Sequence, residues 1–172
     1  MRRVACMLAV ALAMFCSHSP VFAAGGGGGG SSGGGEGVSK ESADPVVVAA
    51  QAAIARQDWI GAQAGLRRAL ADDPKNANYH NLYAYAMRKG PDPDMERVFK
   101  HYEEALRLDP SHRAAHEYIG EAYLQVNDLP HAKQHLAALD RICFFPCEEY
   151  SDLKKAVAGY EASHKVQLSQ KP

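Results

Sequence analysis

The chain has no apolar run long enough to cross a bilayer, which takes roughly 20 residues. Its one long run, Val4 to Phe15, stops at twelve. Neither charge sign is in excess: 19 Lys and Arg stand against 20 Asp and Glu. That balance gives no electrostatic footprint for nucleic acid or an anionic membrane. No segment has the alternating pattern of a strand, so no Gly-rich phosphate loop can follow one, and no His-Glu-x-x-His pattern occurs. No nucleophile, base and orienting residue form a readable constellation. The composition and motifs therefore predict no enzyme and no cofactor.

What the N-terminus does have is a processing signature. Arg2 and Arg3, the apolar run, and Val21, Phe22 and Ala23 read together as a leader at 1–23, cleaved after Ala23 or Ala24. A lipoprotein form is disfavoured because bulky Met14 and Phe15 precede Cys16. An uncleaved anchor is the alternative. Cleavage removes Cys6 and Cys16, leaving Cys143 and Cys147, and leaves 17 basic against 20 acidic residues. An exported protein is expected, periplasmic if the cell is Gram-negative and otherwise secreted, with no span in the mature chain. Residues 24–42 are expected as a Gly/Ser-rich linker. The 13 residues at 25–37 cover roughly 20 Å as a flexible coil, either a plain spacer or a tether.

Beyond the linker the chain repeats itself. Residues 69–74 (ALADDP) recur at 105–110 (ALRLDP), and Trp59, Ala62, Leu66, Ala69 and Pro74 recur as Met95, Val98, Tyr102, Ala105 and Pro110. A third copy follows as Leu129, Ala132, Leu136 and Leu139. A period of 34 to 36 residues marks stacked helix pairs. Asp44 with Pro45, Asp58, Asp94, Ser111 and Asp128 supply helix starts, and residues 89–94 (KGPDPD) force a longer loop. A last helix, about 148–165, puts Tyr150, Leu153, Val157 and Tyr160 on one face.

These residues resemble the tetratricopeptide repeat (TPR) family. The third repeat, about 111–140, matches through His116, Ile119, Gly120, Tyr123, Ala132 and Leu136, with Leu139 replacing the usual Ala. The second, about 76–110, matches through Tyr79, Leu82, Tyr102, Ala105 and Pro110, and departs at Tyr83, where a small residue is usual. The first, about 43–75, has a weak first helix. The resemblance implies an all-α, right-handed solenoid of about three helix pairs over 43–165, with a C-terminal cap and a tail at 166–172. It also implies a concave groove lined by first-helix residues: Val47, Gln51, Ile54, His80, Ala84, Met87, Glu117, Glu121 and Leu124. That mixed, mildly acidic surface suits a peptide or protein partner, not nucleic acid. The family's carboxylate clamp needs Lys, Asn and Arg, and Val47, Gln51 and Ala77 stand in place of most of it.

Two further features carry chemistry. Cys143 and Cys147 are an even pair in an exported chain, predicting a disulfide that fixes where the last helix begins. The alternative is a reactive or metal-binding thiolate at Cys147, favoured by the helix N-terminus. His112/His116 and His131/His135 are i, i+4 pairs able to chelate copper or zinc, although His116 and His135 also fall near packing positions. The expected function is an adaptor or assembly factor of the cell envelope. A periplasmic metal-handling protein is the alternative, and a structural subunit packing through a repeat face is a third reading.

Overall fold

The computed structural model describes residues 44–145 and 147–169; the expected leader, the whole of the expected linker and residues 170–172 of the expected tail lie outside them. Seven helices and no strand occur among the described residues: α1 (Pro45–Ala55), α2 (Trp59–Asp72), α3 (Ala77–Lys89), α4 (Met95–Leu108), α5 (Arg113–Gln125), α6 (Leu129–Ile142) and α7 (Glu148–Ser169). None is long and apolar enough to cross a membrane.

Short polar side chains start the helices by accepting from the first free backbone N–H groups. Asp44 takes the amides of Val46 and Val47, and its second oxygen accepts the Tyr79 hydroxyl at 2.8 Å, tying the start of α1 to α3. Asp58, Asn76, Asp94 and Asp128 cap α2, α3, α4 and α6 in the same way. Ser111 does not cap α5. Its hydroxyl turns back to Asp109, and the His112 ring accepts the Ala115 amide at 3.2 Å. The tight turns of the first and third pairs place Gln57 and Asn127 at φ 59° and 62°, just before the capping aspartates. The second pair instead spends Gly90 to Asp94 on its turn.

Each helix packs on the next, and α1, α3, α5 and α7 also form a row of their own. Helices α2, α4 and α6 back this row. The main core gathers Leu66, Tyr83, Ala84, Met87, Val98, Tyr102 and Ile119; Leu66, Val98 and Tyr102 are fully buried. Each such side chain contributes about 1.5–3 kcal/mol relative to exposure. A second cluster of Ala132, Leu139, Leu153 and Val157 fastens α7 to the third pair. The closeness is set by Gly120, where a Cβ would meet Leu153 Cδ2 at 2.6 Å. Helix α7 runs on to Ser169 rather than giving way to a tail after Lys165, because no Gly or Pro interrupts residues 161–169.

Candidate functional site

Helix α3 is the middle of the row and is buried on nearly every side, with nine of its 13 residues inside. Three of the groove residues expected from sequence fall there and are not surface groups. Ala84 is fully buried, Met87 belongs to the main core, and His80 is held between the His101 ring and the Pro74 carbonyl. The reading of the second repeat was one residue out of register. Moving the third repeat back by the same 36 residues that relate α2 to α4 takes His116, Ile119, Gly120 and Tyr123 onto His80, Tyr83, Ala84 and Met87. Ala84 is therefore the small residue of the second repeat, and Tyr83 occupies the large position before it.

The corrected register brings different side chains to the open face of the row. Tyr85 of α3 lies against Tyr118 of α5, ring centroids 4.6 Å apart, and Trp59 of α2 stands 6.3 Å from Tyr85. The Arg88 guanidinium sits 5.5 Å from the Tyr85 ring and forms an ion pair with Glu121 at 2.7 Å, with Gln125 Oε1 at 3.3 Å. Arg88 is almost wholly buried while Glu121 is partly open. The pair therefore joins α3 to α5 beneath the surface and leaves one carboxylate edge outward. Past Tyr118, a cavity of about 210 Å³ opens between α5 and α7, lined by Ala114, Glu117, Tyr118, Glu148, Glu149 and Asp152. Burial, and then the carboxylates of Glu121, Asp152, Glu149 and Glu148, push Glu117 up to about 8. Arg113 reaches Glu149 at 3.7 Å, the one ion pair at this edge among the described residues.

Of the other expected groove residues, Glu117 and Glu121 belong to this face and Gln51 is exposed on α1. Val47 and Ile54 are half-buried against the main core, and Leu124 packs on the second cluster. Sequence reasoning missed Tyr85, Arg88, Tyr118, Gln125, Glu148, Glu149 and Asp152. The repeat offset applied to α3 would have found the first two. A larger cavity of about 360 Å³ lies between α1 and α2, lined by small and apolar groups with Arg68 as its one charge. It has no set of polar groups to orient a ligand.

The four candidate metal histidines do not converge. His112 bonds Asn78 Oδ1 at 3.1 Å, and His131 bonds Asp128 at 2.6 Å. His116 and His135 face each other, Nδ1 to Nδ1, at 2.9 Å, and the His116 Nε2 meets the Pro110 carbonyl at 3.1 Å. Among the described residues no group of three or more His, Cys, Asp or Glu is arranged around a common point. Cys143 and Cys147 are joined by a disulfide just before α7, and Phe144 and Phe145 project from that loop.

Backed helix pairs stacked in one row define the class: an all-helical, TPR-like repeat fold, an architecture that presents extended binding surfaces. No family model matches the chain. It is 28% identical over 88 residues to a TPR repeat-containing thioredoxin, TTL4, of Arabidopsis thaliana, spanning 51% of this chain but only 12% of that protein. Among solved structures it resembles the type III secretion translocator chaperone SycD of Yersinia enterocolitica. The TM-score is 0.60 at 12% identity, covering 70% of this chain and 83% of SycD. A second SycD structure, an alternative dimer, gives 0.57 at 14% identity, covering 71% and 90%.

Proposed function

We propose that this chain is an exported protein-interaction module that holds an extended segment of a partner along the α3–α5–α7 face, as an adaptor or assembly factor of the cell envelope. The observation that carries the reading is the pairing of an aromatic row, Tyr85 and Tyr118, with an acidic cluster, Glu121, Glu148, Glu149 and Asp152, which adds to burial in keeping Glu117 protonated up to about 8. Aromatic faces bind aliphatic stems and cations, and surrounding carboxylates select positive charge. The segment that fits carries Lys or Arg beside aliphatic or aromatic residues. The likeness to a secretion chaperone supports a role in holding another protein. Export rests on Arg2, Arg3 and the run Val4 to Phe15, and on a cysteine pair suited to an oxidising compartment.

The test is photo-crosslinking in the native host from a reactive residue at position 118, with position 67 on the exposed side of α2 as control. One partner should be captured from 118, not from 67, and Glu117→Lys should abolish the capture. The isolated protein should begin after Ala23 or Ala24 and titrate no free thiol. Equal capture from both positions would contradict the groove. An intact leader or two free thiols would contradict export.

A further inference from the structure

The residues that hold each first helix to its second contain a polar unit that occurs twice. His80 of α3 and His101 of α4 meet Nδ1 to Nδ1 at 2.9 Å, as do His116 of α5 and His135 of α6. The Nε2 of each first-helix ring meets the carbonyl of the proline that closes the preceding repeat: His80 with Pro74 at 3.0 Å, His116 with Pro110 at 3.1 Å. Prolines and first-helix histidines recur after 36 residues, the second-helix histidines after 34. These rings take no part in the groove face.

Hydrogen-bond chemistry fixes the protons. A carbonyl oxygen only accepts, so His80 and His116 carry their hydrogen on Nε2. In the neutral ring that leaves a lone pair on Nδ1, and the facing Nδ1 of His101 and His135 must donate to it. One added proton can be accommodated. The first-helix ring then donates from both nitrogens, and its partner changes tautomer to accept. A second proton sets two N–H groups and two positive charges face to face, and the contact cannot persist. We propose that His80–His101 and His116–His135 are proton-operated clasps, locking the first helix onto the second in the second and third repeats and releasing when a pair becomes doubly protonated.

The surroundings favour the closed, uncharged state. Around the first clasp, Tyr83 of α3 meets the His101 ring edge-on at 4.8 Å. Burial and then His80 hold His101 down to about 4, with Arg97 and Lys100 of α4 adding to the effect and Glu104 opposing it. Around the second, Tyr123 of α5 stacks on both His135 and His131. Burial, then His116 and His131, hold His135 down to about 4. Burial lowers His116 as well, opposed by the Pro110 carbonyl and by Asp109, and aided by Arg141 of α6. His112 lies near His116 and is itself lowered by burial, and Asp128 is engaged with His131.

A histidine whose folded value lies below its unfolded value of about 6.5 contributes stability that is fully present above 6.5 and lost as pH falls toward 4. The full linkage over that window is about 300-fold in the unfolding constant per clasp. Solvent screening at these partly buried rings brings the expected effect to about tenfold per clasp. The inference stands whether or not the groove binds a partner segment.

Two measurements on the full chain test it. Nitrogen-15 NMR at pH 7.5 should find His101 and His135 as Nδ1–H tautomers and His80 and His116 as Nε2–H tautomers. The Nε2–H form at His101 and His135 would overturn the proposal without any variant. Urea unfolding at pH 7 and pH 4 should then compare the wild type with His101→Asn, His135→Asn and the double variant. Asn keeps an N–H near the Nδ1 position but does not titrate. On acidification the wild-type unfolding constant should rise about tenfold more than that of each single variant, and about a hundredfold more than that of the double. Equal pH dependence in wild type and variants would overturn the clasp.

Discussion

Gly120 shows how one side chain can position a whole element. A Cβ at this position would stand 2.6 and 2.8 Å from the two methyls of Leu153, so Gly120→Ala must push α7 outward or force Leu153 off its rotamer. The expected cost is about 1–3 kcal/mol by urea denaturation. Leu153→Ala should cost about 2–5 kcal/mol by itself, yet it should make Gly120→Ala nearly neutral, because the colliding methyls are gone. An undiminished Gly120 penalty in that background would place its origin elsewhere. Glu117 gives a second residue-scale prediction. Its value is raised to about 8 in the fold against roughly 4.3 unfolded, so the folded state holds a proton that the unfolded state has released. Its ionisation therefore erodes stability as pH rises from about 4 through 8. Glu117→Gln should match the wild type at pH 4 and exceed it at pH 8, read from unfolding midpoints. A variant less stable than wild type at pH 8 would refute the sign.

Among the elements, five of the six helix starts read from the sequence, those of α1, α2, α4, α6 and α7, stand where the sequence puts them, because caps are local chemistry. An aspartate needs only the next few amides to act, as Asp58 and Asp94 do. His112 replaced Ser111 as the α5 cap because Asp109 engages the serine hydroxyl first, a contact that a propensity argument does not contain. Helix α3 was illegible for the opposite reason. Surrounded by α1, α2, α4 and α5, it buries Tyr79, Leu82 and Tyr83 as well as His80, Ala84 and Met87. Hydrophobic spacing cannot choose a face when nearly all faces are inside. Only the offset between repeats fixes the register there. The error carried directly into the site, because a shift of one residue exchanged Tyr85 and Arg88 for Ala84 and Met87.

As a whole, the chain is legible as an architecture before it is legible as a surface. Three helix pairs and a cap follow from small and large apolar residues at a fixed period, a property of backbone spacing. The groove chemistry depends on which side chains of neighbouring helices meet. Tyr85 with Tyr118 and Arg88 with Glu121 are contacts between separate elements, and Glu117 shares a cavity with the first turn of α7. No single stretch of sequence contains them. The central claim is that this assembled face, aromatic and acidic, holds a basic and apolar segment. Selection of random peptides against the purified protein tests it most directly. The account predicts enriched peptides that place Lys or Arg within a few residues of an aromatic or aliphatic side chain. Their affinity should fall about tenfold or more in Tyr118→Ala and in Glu117→Lys, and stay unchanged in Arg67→Ala on α2. Enriched peptides with no such chemistry, or affinities indifferent to both groove substitutions, would contradict it.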